Sequence, residues 1–321
     1  MKKTLLLALL LAGAALNAPA RQAQKPFFPA DNSADRLDTY DELYQKEQRK
    51  TAKRRFKQLR AEVRGGYAES ARELAWAYYR GEGVKKNDKK AYKYMQKAAQ
   101  AGDAGAAVMQ GVMLAHGKGV RQNLPLACAI FKELVQNDNP HAMFQLYRLA
   151  SGCSVSDEEQ KRMLDTSARR GVAPALYEKS LLTSNAPEQA FRYMEQAARV
   201  EYRPAQYALA RMFEAGNGTE INPAKAFDYM LLAAKQNLQE AQWQTAQWYE
   251  AGYGVKKSLP LSFHWTRNAA KNGVKEAQKR LAEMYRTGYG VPVNAGQARK
   301  WEKKAAANEQ TTVRQTKEEF Y

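Results

Sequence analysis

The scarce reactive residues of this 321-residue chain are two cysteines, Cys128 and Cys153, and three histidines, His116, His141 and His264. A histidine metal site on a helix needs ligands at a spacing such as H-x-x-x-H, and no two of these histidines share one. They read as ordinary surface or packing residues. Glycine pairs such as Gly252-Tyr253-Gly254-Val255-Lys256-Lys257 resemble the opening of G-x-G-x-x-G. The third glycine is missing, no strand precedes the pair, and the chain has no G-K-[ST] phosphate loop. The sequence therefore predicts no catalytic, cofactor-binding or metal-binding residue, and no enzyme.

The glycines belong to a repeat. Tyr78-Tyr79-Arg80-Gly81-Glu82-Gly83-Val84 returns as Leu114 to Val120, Phe213 to Gly218, Tyr249 to Val255 and Tyr285 to Val291. First glycines fall at 81, 117, 216, 252 and 288, so neighbouring copies are 36 residues apart. The longer gap between 117 and 216 accommodates two degenerate units, one with Ala142, Cys153 and Gly171, the other with Ala175 and Ala197-Ala198. This gives seven units between Tyr67 and Asn308. Each reads as two helices: an apolar pattern at helical spacing before the glycines (Ala205, Leu209, Ala210, Met212, Phe213), and a second after them ending in an alanine pair (Ala226, Tyr229, Ala233-Ala234). Gly102, Asn237 and Gly273 suit left-handed helix ends. Small alanines let helices approach, and Tyr, Trp or Phe fills the space between layers.

Ala…Leu…Tyr-x-x-Gly-x-Gly-Val, a polar linker, then Ala…Trp/Tyr…Ala-Ala…Gly at this period resembles the Sel1-like repeat, a relative of the tetratricopeptide repeat. The resemblance implies an all-α fold: an α-solenoid of about seven helix-turn-helix units in a right-handed superhelix with a concave binding face. It also implies an adaptor or regulator. Some members have been linked with penicillin binding or weak β-lactamase activity, but no serine here has a lysine three residues later.

Positions that vary between units mark surface released from packing. Counting −9, −5 and −2 from each first loop glycine selects one face of the first helix. These positions hold Arg72, Trp76 and Tyr79; Val108, Val112 and Ala115; and Phe144, Arg148 and Ser151. Later units give Tyr207, Arg211 and Glu214; Trp243, Gln247 and Glu250; and Lys279, Glu283 and Arg286. Aromatics interleaved with arginines are enriched in binding hot spots. Arg72, Trp76, Tyr79, Phe144, Arg148, Tyr207, Arg211, Trp243, Gln247 and Arg286 are thus the candidate partner-binding set. Cys153 takes the glycine-loop position of the third unit, beside the start of the previous unit's second helix, which carries Cys128. A disulfide there closes a loop of about 25 residues.

The flanks complete the plan. Met1-Lys2-Lys3, an apolar run from Thr4 to Leu16 and Ala18-Pro19-Ala20 form a signal peptide (residues 1–20) cleaved near Ala20. Residues 21–37 read as disordered and 309–321 as a polar tail. Between them, 38–66 form a basic amphipathic capping helix, and 67–308 the repeats. Asp38 can cap that helix, whose Ala52, Phe56, Leu59 and Val63 share a face. Lys46 to Arg64 holds nine basic and two acidic residues, and the whole chain carries +18. The expected protein is a periplasmic or secreted monomer that binds a protein or peptide in its groove, with no nucleic acid. Two other readings are an envelope-polymer or anionic-lipid binder and a weak β-lactamase-like hydrolase.

Overall fold

The structure is a computed structural model that describes the backbone of residues 34–318 and the side chains of 46–307. The expected signal peptide, its cleavage site and residues 21–33 lie outside the described residues. A long helix, α1 (Ala34–Arg64), precedes seven successive helix pairs. They are α2 (Glu69–Arg80) with α3 (Asp88–Gln100), α4 (Ala104–His116) with α5 (Leu124–Gln136), and α6 (Pro140–Arg148) and α7 (Ala150–Cys153) with α8 (Asp157–Arg169). Then come α9 (Ala173–Leu182) with α10 (Pro187–Arg199), α11 (Arg203–Ala215) with α12 (Pro223–Lys235), α13 (Gln239–Ala251) with α14 (Leu259–Lys271), and α15 (Lys275–Thr287) with α16 (Ala295–Glu318). The helices form two compact units, Glu42–Lys179 and Ser180–Tyr321, and α9 straddles the division.

One local code builds the regular pairs. The first helix ends on a left-handed glycine: Gly81, Gly117, Gly216, Gly252 or Gly288. The second helix starts at an Asn or Ser whose side chain accepts from the N–H three residues on, as Asn87 does from Lys90 and Asn222 from Lys225. The same capping residue's N–H donates back to the first helix. Asn87 bonds the Tyr78 carbonyl at 2.9 Å, Asn222 that of Phe213 at 2.9 Å and Ser258 that of Tyr249 at 2.9 Å. The connection is thereby closed into a fixed turn.

The second loop glycine has a different task. A Cβ on Gly83 would lie 2.3 Å from the Ala52 carbonyl oxygen, and one on Gly119 would lie 2.1 Å from that of Asp88. In the later unit, Gly218 abuts Pro187, Gly254 abuts Pro223 and Gly290 abuts Leu259 in the same way. Each loop thus seats its bare backbone on the first turn of the preceding pair's second helix. Ala52 holds that place within α1, so the end of α1 serves as a second helix without a first.

The aromatic residue three before the glycine seals the layers. Tyr78 meets Phe56 edge-on at 5.3 Å and stacks on Tyr94 at 5.7 Å. Phe213 repeats this with Phe191 at 5.2 Å and Tyr229 at 5.9 Å. Tyr249 meets Phe227 at 5.0 Å and Tyr285 meets Phe263 at 5.4 Å. Such pairs contribute about 0.5–1.5 kcal/mol beyond their area. The alanine pairs, such as Ala233 and Ala234, are buried beneath them.

Several boundaries differ from expectation. Helix α1 begins at Ala34, so Asp38 lies inside it and residues 34–37 are helical, not disordered. Helix α16 runs on to Glu318, through most of the expected polar tail. The connection between α9 and α10 is short, residues 183–186, and carries no glycine. In the centre the first helix breaks at Leu149 between α6 and α7, and a Ser156–Glu159 capping box starts α8.

Candidate functional site

In the first unit, Arg72 reaches forward to Asp103 at 3.1 Å, the carboxylate that also caps α4 through the Ala106 N–H. Half-buried Trp76 and Tyr79 meet edge-on at 5.5 Å. The Arg80 guanidinium lies 4.6 Å above the Trp76 ring. Lys86 and Lys118 place their ammonium groups 5.5 and 5.7 Å from the Tyr79 ring, and Lys118 donates to the Tyr79 hydroxyl at 3.4 Å. Trp76 and Tyr79 thus carry cations on their outer sides while their inner edges pack on the core. The candidate set is corrected at Phe144, which is buried and stacks on Tyr147 at 5.9 Å. The count that selected it ran back from Cys153 through the break at Leu149. Arg148 is exposed.

In the second unit, Tyr207 is half-buried and exposed Arg211 pairs with Glu214 one turn away. Arg286 pairs with Glu302 of α16. The next group is gathered into a cavity of about 530 Å³. Trp243, Gln247, Glu250 and Ala251 of α13 form one wall; Lys257, Arg280 and Tyr289 from the following loop and layer form the other. All three variable positions of α13 therefore open onto this space. Trp243 is half-buried against the core of the last two pairs.

Arg280 organises the cavity. It pairs with Glu250 across the layer boundary and with Glu283 on its own helix at 2.6 Å, and its guanidinium lies 5.0 Å from the Tyr289 ring. Burial works against its charge, but the hydrogen bonds to Glu283 and Glu250 outweigh that and raise its pKa. The result is a cation held by two carboxylates beside the Tyr289 ring, in a groove also lined by Trp243 and exposed Lys257. Sequence counting missed Arg280 because it sits at −8, one residue beside the chosen Lys279. The available signal was complementarity: Glu250 and Arg280 are opposite charges at facing positions of successive units.

Cys128 and Cys153 come together as expected, with Cα atoms 5.4 Å apart and their sulfurs at bonding distance. The burial of Tyr249, reinforced by the nearby Asp228 carboxylate, pushes its phenol up to about 12. His116 and His141 are exposed and His264 is buried. Among the described residues, no three His, Cys, Asp or Glu side chains gather as a metal site requires.

Comparison with known proteins agrees with this architecture. The Sel1 repeat model matches residues 68–103, 105–138, 167–200, 203–238, 239–274 and 275–309. Six of the seven helix pairs thus carry the signature, and residues 139–166, around the broken helix, do not. The chain is similar to a Sel1 repeat protein from Oxalobacter formigenes of known structure, at 29% identity over 85% of this chain and 82% of that one, with a TM-score of 0.55. It is also similar to c5321, a protective antigen present in uropathogenic Escherichia coli strains that displays an SLR fold. That match has 22% identity over 78% of this chain and 56% of that one, with a TM-score of 0.56, and speaks to fold alone. No curated protein matches the sequence. Folds of this kind are typically protein-interaction scaffolds without catalytic activity. With six repeats matched over most of its length, the chain belongs to the Sel1 repeat family.

Proposed function

We propose that this protein is an exported scaffold or regulator that holds a partner protein through the first-helix faces of its repeats. The carrying observation is the cavity where Trp243, Gln247 and Glu250 meet Arg280 and Tyr289. Variable positions of one layer and charged or aromatic residues of the next converge there. The partner's anchor is one side chain inserted between Trp243 and Tyr289. Further contacts come from Trp76 and Tyr79 in the first unit and Tyr207 in the second.

The test is site-specific photocrosslinking. A crosslinker at Gln247 or Arg211 should capture the same single partner in the cell envelope, and one at the exposed Lys300 of α16 should not. Equal capture at all three positions would overturn the reading. Export is part of the proposal: residues 1–20 act as a signal peptide, and the mature protein is periplasmic or secreted. In that oxidising setting Cys128 and Cys153 form a disulfide that braces the irregular third pair. A cellular protein that still carries residues 1–20 would refute export.

A further inference from the structure

The contact between each second loop glycine and the helix below it fixes a common numbering for the second helices. Ala52 in α1 lies under Gly83 as Asp88 in α3 lies under Gly119. Counting onward from these anchors, Lys53, Arg54 and Lys57 of α1 stand at the places of Lys89, Lys90 and Lys93 in α3. All six are exposed. The helices are neighbours: Phe56, Leu59 and Val63 share a core with Ala91, Met95 and Ala98, and the Lys97 ammonium donates to the Val63 carbonyl at 3.5 Å. Three exposed cations on α1 are thus matched, place for place, by three on α3.

The rows extend beyond these pairs. Exposed Lys46, Lys50, Lys53, Lys57, Arg60 and Arg64 follow one another at intervals of three and four along one side of α1, spanning about 27 Å of helix. The acids nearby are engaged elsewhere or at the margin. Glu62 takes the Ser70 hydroxyl and the Gln58 amide, Glu73 takes Arg55, and Glu47 lies beside Lys50. The full set of three matched cations does not recur in the layers that follow. The same three places hold Pro125, Leu126 and Ala129 in α5, Ala224, Lys225 and Asp228 in α12, and Pro260, Leu261 and His264 in α14. A merely solvated surface has no reason to repeat the cations in two adjacent layers and drop them in the next.

We infer that the joint outer face of α1 and α3 binds the anionic surface of a lipid bilayer. The two parallel rows form a two-dimensional array, which suits a plane of phosphate headgroups better than a single polymer strand. Five of the six matched residues are lysines, point charges on flexible stems that make no demand for bidentate geometry. Tyr67, 67% exposed just past the end of α1, offers the kind of amphipathic ring that settles at headgroup level. No helix among the described residues is long and apolar enough to cross a membrane, so this face would hold the protein on the surface.

The experiment is cosedimentation of the full chain with phosphatidylcholine vesicles, with and without phosphatidylglycerol. Binding should require phosphatidylglycerol and collapse as salt rises. Insertion of the apolar stretch Thr4 to Leu16 would not depend on headgroup charge, so pure phosphatidylcholine separates the two. Each basic residue near an anionic surface multiplies partitioning about fivefold, so the triple change Lys89→Gln, Lys90→Gln and Lys93→Gln should weaken it about 100-fold. Replacing the exposed Arg299, Lys300 and Lys303 of α16 by glutamine should leave it within about threefold, on the same per-residue scale. Circular dichroism should be unchanged in both variants. Equal losses in the two would show a net-charge effect and overturn the assignment. So would binding to soluble polyphosphate, or to an acidic protein, without binding to vesicles.

Discussion

Three glycines of the second unit share a left-handed backbone but differ in the space around them, and replacing each with alanine separates two costs. Gly273, at φ +98°, has nothing within 4 Å of a new Cβ. Gly252, at φ +81°, would place one 3.4 Å from the Lys257 Cβ, an ordinary contact. Gly254, at φ +66°, would place one 2.0 Å from the Pro223 carbonyl oxygen and 2.5 Å from its carbon. The left-handed penalty for an L residue is about 1–2 kcal/mol, partly offset by the lower entropy of unfolded alanine, so Gly273→Ala and Gly252→Ala should each cost about 1 kcal/mol. At Gly254 the loop must also withdraw by more than about 1 Å to reach van der Waals contact, and overpacking of that kind adds about 1–3 kcal/mol. That withdrawal pulls Tyr249 away from Phe227, at about another 1 kcal/mol. Gly254→Ala should therefore cost about 3–5 kcal/mol, read from urea unfolding followed by helical circular dichroism. A Gly254→Ala cost within about 0.5 kcal/mol of the Gly273→Ala cost would refute the claim that loop backbone sets the layer spacing.

Four further outcomes follow from the geometry. The proposed disulfide would close a separation of 25 residues, so Cys128→Ser with Cys153→Ser should lower stability by about 3 kcal/mol; the intact protein should gain about 2 Da on reduction, and an unchanged mass would remove the bond. Changing Trp76, Tyr207 and Trp243 together to alanine should abolish partner crosslinking at Gln247 while helical signal is retained; an unfolded variant would assign these half-buried rings wholly to the core. Tyr249 is neutral in the fold up to about 12, while an unfolded phenol ionises near about 10. Its contribution is complete below about pH 10 and is lost as pH rises toward 12, about 3 kcal/mol in all, so Tyr249→Phe should unfold less steeply over that window in alkaline titration. Glu201 holds φ +60° at a turn where Gly102, Gly171 and Gly273 serve three other layers, and Glu201→Gly should raise the melting temperature, with a gain of about 0.5–1 kcal/mol; a lower one would refute strain there.

The sequence made the layers legible because the residues that build them are constrained to be the same each time. Glycine spacing, the alanine pairs and the aromatic three before the loop all reappear in the structure at the places the period assigns. Even the cysteine pairing was readable, since Cys153 inherits a loop position whose neighbour is the start of the helix carrying Cys128. The constraint on the second glycine is not legible within one repeat, because the atom it must clear is a carbonyl some thirty residues upstream. Phe144 was misplaced for a related reason: counting by period assumes one continuous helix, and the break at Leu149 is tertiary. Arg280 escaped because a face chosen within one unit does not know which residue of the next unit closes over it.

That last point bears on how such a chain acquires a binding site at all. The −3 aromatic, the alanines and both loop glycines are committed to the layer contact, so they contribute nothing that differs between repeats. The −9, −5 and −2 residues vary, yet a single helix face offers only a shallow surface. Depth arises where residues of two successive layers are complementary, as Glu250 and Arg280 are, because their ion pair adds an anchor across the boundary to a cation otherwise held within its own layer. Removing Glu250 would leave Arg280 held by Glu283 alone, on its own helix. The groove is therefore a property of the pair of layers, and in the proposed function its residues serve binding beyond the packing code that surrounds them.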